Sequence, residues 1–273
     1  MSPPKLPPAP LLMSLLFIVV PAAVFASMVV AIRIGRRIGA RRMARPAAAA
    51  GAGDAGAGAG AVEAALFGLL GLLVGFSFSG AQTRLDARRA MVVEEANAIG
   101  TAYLRLDLLP EPQRRALQGR FKAYVDARIT FYRELLDFEV AAAMNERARS
   151  LQQEIWTGAI DAAGRAADMR AALLVVPALN AMFDVTSARD AALRTHVPAA
   201  IFLLLGFLSF GCAVLAGVDM AWNHDYARLY TLAFAGALSL TAYVILNIEF
   251  PRLGFVRFEA LDALLVQVRA GMG

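Results

Sequence analysis

Cysteine and histidine are scarce in this chain, and their scarcity removes whole classes of chemistry. Cys212 is the only cysteine among 273 residues, and His196 and His224 are the only histidines. One thiol makes no disulfide framework and no paired-cysteine metal site, and two histidines far apart in sequence give no ligand spacing. There is no nucleophile elbow, Walker loop, HExxH motif or dinucleotide fingerprint, and no His stands at a recognisable spacing from a Ser or Cys. The Gly-x-Gly matches fall in low-complexity sequence. We therefore expect no enzyme, no cofactor and no metal site. Groove-reading motifs and aromatic–basic alternation are also missing, which argues against a nucleic-acid partner. Strand-like alternation of useful length is absent too, so the expected class is all-α.

What the chain has in abundance is apolar sequence. Hydrophobic residues make up 59%, whereas a soluble domain holds roughly 45–50%. The 27 basic residues outnumber the 22 acidic ones, but they are spread over the flanks of apolar runs and over mixed-charge helices. That basicity reads as topology and lipid contact. Four runs are long enough to cross about 30 Å of hydrocarbon as helices: Leu11–Ile34, Val62–Ala81, Pro198–Val218 and Leu229–Ile248. Val24-Phe25-Ala26 has the form of a signal-peptidase site, yet the apolar run continues past it to Ile34, so the first run is expected to remain as a span.

The expected architecture is an all-α membrane protein with four transmembrane helices and a helical bundle domain between the second and third. Residues 1–45 form the first span and an arm of Arg33, Arg36, Arg37, Arg41, Arg42 and Arg45. Residues 46–61, almost wholly Ala and Gly, read as a flexible linker. The second span covers 62–82 and the bundle 83–197, with helices expected near 83–109, 111–147, 148–174 and 178–195. The third and fourth spans fill 198–250, joined by a loop with Trp222 and Tyr226 as interfacial anchors. Residues 251–273 form an amphipathic tail with Arg252, Arg257 and Arg269 on its polar side. The expected location is the bacterial cytoplasmic (inner) membrane, in multi-pass form. The arginine density of the arm favours placing that arm in the cytosol.

The stretch Gly68–Ala98 passes from a small-residue membrane helix into a charged helix without a proline. Gly71, Gly75 and Ser79 fall four apart, a stripe that lets another helix approach closely, and plain helix packing is sufficient reason for it. Gly68, Leu72 and Phe76 share a second line. In an oligomer that turned this line to its axis, they would form an apolar constriction able to gate by dewetting; lipid- or core-facing aromatics are the alternative. Beyond the membrane, Glu94, Asn97, Thr101 and Arg105 recur at helical steps with Glu95 beside them. A Glu94/Glu95 pair near the membrane suits cation binding, gating or the field at a pore mouth, while salt bridging inside the bundle is the competing role. Near the fourth span's end, Asn247 and Glu249 precede Pro251, and a carboxylate there is costly unless paired or wet. His196 precedes Pro198 at a helix end, where pH sensing is the functional option.

Gly75-Phe76, Arg84 and Ala87-Arg88-Arg89 together resemble the second membrane helix of bestrophins, with Asp86-Ala87-Arg88 one residue earlier than that pattern places it. The chain is more similar still to the bacterial family called bestrophin-like. That similarity rests on Val93–Ala102, Leu104-Arg105, Leu108-Leu109-Pro110, Val185-Thr186, Ala188-Arg189, Pro251, Gly254 and Val256-Arg257, spanning about 62 to 260. The resemblance implies a channel-like protein assembled with itself as a homo-oligomeric ring, tetramer or pentamer, in the lipid bilayer, with permeating ions as its other partners. It maps the family's hydrophobic neck onto Gly68, Leu72 and Phe76, with glycine where a bulky residue is usual. It also implies a cytosolic bundle, opposite to the orientation that the arm's arginines favour. The expected function is an oligomeric ion channel lined by the second span, with Arg84, Arg88, Glu94, Glu95 and Asn97 at the pore mouth or in gating. A membrane sensor with a helical ligand domain, or a non-conducting scaffold, is the alternative.

Overall fold

The computed structural model describes residues 9–43, 53–166, 169–221, 227–251 and 259–273. Among them the chain forms eight α-helices, one 3-10 turn and no strand. Four helices are long and apolar enough to cross a membrane. In order they are α1 (Ala9–Met43), α2 (Gly53–Arg105), the 3-10 turn Leu106–Leu108, α3 (Gln113–Arg133), α4 (Phe138–Gly164), α5 (Arg170–Arg194), α6 (Ala199–Asp219), α7 (Ala227–Glu249) and α8 (Glu259–Ala270). Trp222, His224, Tyr226, Arg252 and Arg257 lie outside the described residues, as do Arg45 and 46–52 of the Ala/Gly stretch.

The chain divides into two compact units. The membrane unit takes Leu12–Arg84 and His196–Val256, and the bundle unit takes Leu85–Thr195 with the C-terminal segment. In the membrane unit, α1 and α6 approach at glycine. A Cβ added to Gly35 would stand 2.0 Å from the Val214 carbonyl oxygen, and one added to Gly217 would stand 2.2 Å from that of Ile32. Gly39 meets Val218 and Ala221 in the same way. Backbones this close gain dispersion contacts that no lipid tail supplies. Met28, Ala31, Ile32, Ala213 and Ala235 fill the core beside this contact. Ser239 donates to the carbonyl of Pro21 at 2.8 Å, tying α7 to α1, and Phe67 meets Phe234 edge to face at 5.9 Å, tying α2 to α7.

The first span is longer than its apolar run. Helix α1 continues through the arginines to Met43, with Gly35 and Gly39 buried and Arg33, Arg37, Arg41 and Arg42 exposed. The flexible linker expected over 46–61 also gives way to helix from Gly53 onward. Alanine, the best helix former, alternates there with glycine and sustains the first turns of α2.

In the bundle unit, α3 and α4 pair as a hairpin, α5 packs on α4, and α8 packs on α3. Phe121, Tyr124, Leu151, Ile155, Leu179 and Met182 fill the centre. Three expected boundaries are corrected. The helix expected over 111–147 is split at 134–137, where the Asp137 carboxylate accepts from the backbone N–H groups of Glu139 and Val140 at 3.2 Å and starts α4. The division expected at 147–148 does not occur, because α4 runs on to Gly164. The break expected at Pro177 does not occur either, because α5 runs through it. Proline removes a helix N–H and crowds the preceding turn, and Arg105 donates to the Leu174 carbonyl in that turn at 2.9 Å.

The amphipathic tail is also used differently from a lipid-seeking one. Leu265 and Met272 are buried in the bundle core. Arg269 grips Asp126 through two hydrogen bonds of 2.8 and 3.1 Å, Tyr103 donates to the Met272 carbonyl at 2.7 Å, and Lys122 donates to the carbonyl oxygen of Gly273. The apolar side of α8 is thus already covered by protein.

Candidate functional site

Helix α2 contributes residues to both units, and in each it has one covered and one open side. At 100° per residue, Gly71, Gly75, Gly68, Ser79, Leu72 and Phe76 fall within a single sector about 140° wide. The packing stripe and the constriction line are therefore neighbouring edges of one face. Every member of that face is exposed, Leu72 at 54% and Phe76 at 65%. Nothing lies within 4 Å of a Cβ built on Gly68, Gly71 or Gly75. Leu70 and Ala81 are buried on the opposite side. Of the most apolar window in this span only 6% is buried, against 22% for the first span. Within the chain, then, the small-residue packing runs through Gly35, Gly39 and Gly217, and Gly71, Gly75 and Ser79 stay uncovered.

In the bundle unit one side of α2 carries Asp86, Ala90, Val93, Glu94, Asn97, Thr101 and Leu104, all exposed. The other side carries Leu85, Arg88, Val92, Glu95, Ala96, Ile99 and Ala102, all buried. The adjacent carboxylates Glu94 and Glu95 fall on different sides, since successive helical residues point about 100° apart. They form no pair: Glu94 faces out and Glu95 faces in.

Glu95 is fully buried and sits among cations. It accepts from Arg128 Nε at 3.0 Å and from Arg189, and it pairs with Arg128 Nη2 at 2.9 Å. Asp190 takes the other edge of Arg128 at 3.0 and 3.2 Å. Tyr132 lies between them: its hydroxyl accepts from Arg128 and stands 3.3 Å from Glu95, and its ring lies 3.5 Å from the Arg189 guanidinium carbon. Burial, with Glu95 beside it, pushes the Tyr132 phenol well above its ordinary value. Burial also pushes Tyr124 up to about 12, next to Thr186 at 3.0 Å. Two arginines facing one glutamate and one aspartate form a balanced cluster, the condition under which buried charge is tolerated.

The arginines expected at the pore mouth are committed inside the chain. Arg88, 8% exposed, donates to the carbonyls of Ala192 at 3.2 Å and Thr195 at 2.7 Å. It thereby covers open acceptors at the C-terminal end of α5, where the helix dipole also favours a cation. Arg84 reaches Glu249, at the end of α7, with contacts of 3.0 and 3.1 Å. Glu249 is 1% exposed, and its other oxygen accepts from the Val197 N–H at 3.2 Å and lies 3.5 Å from His196 Nδ1. His196 rests against Phe250, with ring centroids 4.9 Å apart. Asn247 donates to the Tyr243 carbonyl at 2.8 Å. The near-membrane carboxylate is thus paired, as its burial requires.

Of the expected site residues, Gly68, Leu72 and Phe76 are exposed beside Gly71, Gly75 and Ser79 in the membrane unit, and Glu94 and Asn97 are exposed in the bundle unit. Arg84, Arg88 and Glu95 hold α2 to its own unit. The residues that sequence did not single out are Arg128, Tyr132 and Asp190. Arg128 and Tyr132 are four apart on α3 and share a helix side, a weak signal that gains meaning only once Glu95 is seen facing them. Among the described residues no group of three or more His, Cys, Asp or Glu side chains is placed to hold a metal ion.

A family model described as "Bestrophin-like domain" matches residues 42–259, well over half of the chain and including all of α2. No curated protein matches, and no solved structure matches.

Proposed function

The chain belongs to the bestrophin-like family, and on that premise we propose that it is an oligomeric ion channel of the bacterial inner membrane, lined by α2. The observation that carries this reading is the open face. A span left 6% buried in its apolar window still has most of its surface to place against something. Membrane helices with uncovered small residues use them to pack against other helices. In a homo-oligomeric ring, the glycine edge at Gly71 and Gly75 packs against the next copy, and the adjoining edge at Gly68, Leu72 and Phe76 turns to the axis. Phe76 is then the narrow apolar point, where a small change in diameter wets or dries the path. Glu94 and Asn97 continue the same face into water and act on permeating ions there. Arg84, Arg88 and Glu95 serve as anchors that fix the rotation of α2 about its own axis.

Planar-bilayer recordings of the purified full-length protein test this reading. Single-channel currents are expected, and Phe76→Ala raises the conductance or the open probability. Glu94→Gln is expected to change cation-to-anion permeability, because it removes an exposed charge from the conducting face without touching a salt bridge. Silent bilayers across pH, calcium and voltage, with the oligomer intact, would refute conduction. A monomer in mild detergent would refute the ring.

A further inference from the structure

Inside the membrane unit lies a cavity of about 450 Å³, lined from all four spans. Val24 of α1, Val74 of α2, Phe210 of α6 and Ile245 of α7 represent its walls. Every lining residue belongs to the stretch of its helix expected within the hydrocarbon. The cavity is open on one side at the depth of the hydrocarbon, so its occupant comes from what surrounds the unit. Water is a poor occupant, since each buried molecule needs two to four polar partners. The polar side chains of the lining are the hydroxyls of Ser27, Ser209 and Thr241. Two of them are engaged by their own helix, Ser27 with the Val24 carbonyl and Thr241 with the Ala237 carbonyl, both at 2.8 Å. Apolar walls with one uncommitted hydroxyl suit hydrocarbon, and hydrocarbon surrounds this unit. Phe202, Leu203 and Phe207, beside the cavity on α6, are exposed and provide a continuous apolar approach from the bilayer.

We infer that this cavity is a binding site for one hydrocarbon tail of a bilayer phospholipid, held between α1, α6 and α7. The tail completes the packing of a unit whose α1 and α6 meet backbone to backbone at Gly35, Gly39 and Gly217. The inference does not depend on conduction by the assembly.

The test uses full-length protein in vesicles of phosphatidylethanolamine and phosphatidylglycerol, doped with a phospholipid carrying a photoreactive diazirine in mid-tail. After irradiation the adducts are mapped by mass spectrometry. Adducts are expected on the cavity-lining stretches 205–210 and 241–246, and Gly206→Phe should reduce them several-fold. Gly206 lines the cavity, and nothing lies within 4 Å of a Cβ built on it. Adducts on the outward-facing Leu229 and Leu232, which do not line the cavity, should be unchanged and serve as the internal control. Ala242→Leu, from the facing helix, should give the same result should Gly206→Phe fail to accumulate. Cavity adducts that persist in both variants, or that never exceed the control positions, overturn the inference. Protein–protein crosslinks at the same positions from photoreactive leucine would assign the cavity to a second copy and overturn it equally.

Discussion

Glu95→Gln isolates the buried charge cluster from the exposed face one residue away. The substitution keeps the side chain's size and removes one negative charge from a site where Arg128 is 1% exposed and Arg189 3%. Arg128 then keeps Asp190, whose side chain is 23% exposed, while Arg189 loses the carboxylate that Glu95 presents to it. The new amide also turns a donor toward donors. Breaking a buried pair from one side costs roughly 3–5 kcal/mol, because the uncompensated charge stays in place. A kcal/mol corresponds to about 2–8 °C, depending on the size of the cooperative unit, so the unfolding midpoint should fall by roughly 10 °C or more. Glu94→Gln, on the open side, should stay within about 0.5 kcal/mol. Thermal unfolding of the two variants in the same detergent, followed by circular dichroism, compares them directly. Neutralising the whole cluster, Glu95→Leu with Arg128→Met, Arg189→Leu and Asp190→Asn, should recover much of the loss. Equal midpoints for Glu95→Gln and Glu94→Gln would refute the placement of Glu95 at the centre of the bundle.

Further predictions follow from the packing and from the buried phenols. Gly35→Leu should destabilise the membrane unit by at least ~1–3 kcal/mol through overpacking, seen as a lower melting temperature. Gly75→Leu should leave protomer stability nearly unchanged but shift the oligomer toward smaller species in light scattering. Stability should be flat from neutral pH to about 10 and fall above it. The folded-state value of Tyr124 is raised to about 12, so the unfolded chain releases that proton first and gains on the folded one across this window. Tyr124→Phe should flatten part of that decline, leaving the share due to Tyr132; an unchanged slope would contradict the burial argument. Asp137→Ala should cost about 1 kcal/mol by removing the cap of α4, measured by chemical denaturation.

The four spans and the intervening bundle were legible in the sequence because each rests on a long-range pattern, twenty apolar residues or a sustained helical period. The turn at 134–137 was not, because a single capping aspartate without Gly or Pro is a local cue that many helix interiors also carry. The small-residue rule was applied to Gly71, Gly75 and Ser79 and passed over a second glycine pair. The closest contacts in the protomer use Gly35 and Gly39, also four apart but hidden among arginines that read as an arm. The side of α2 that a glutamate takes depends on the partner helices, so Glu94 and Glu95 were indistinguishable until Arg128 and Arg189 fixed which one is covered. The pairing of Glu249 was foreseeable as a need, from the cost of a carboxylate at the membrane edge; that Arg84 meets it was not.

The most direct test of the account is cysteine accessibility during bilayer recording. Cys212, which is buried, is first replaced by alanine, and single cysteines are then introduced along α2. A water-soluble charged thiol reagent should alter the current at positions 72, 76, 94 and 97 and leave it unaltered at 70, 81 and 92. Modification on the covered side, or none along the open face in a conducting protein, would contradict the claim that this face lines the pathway.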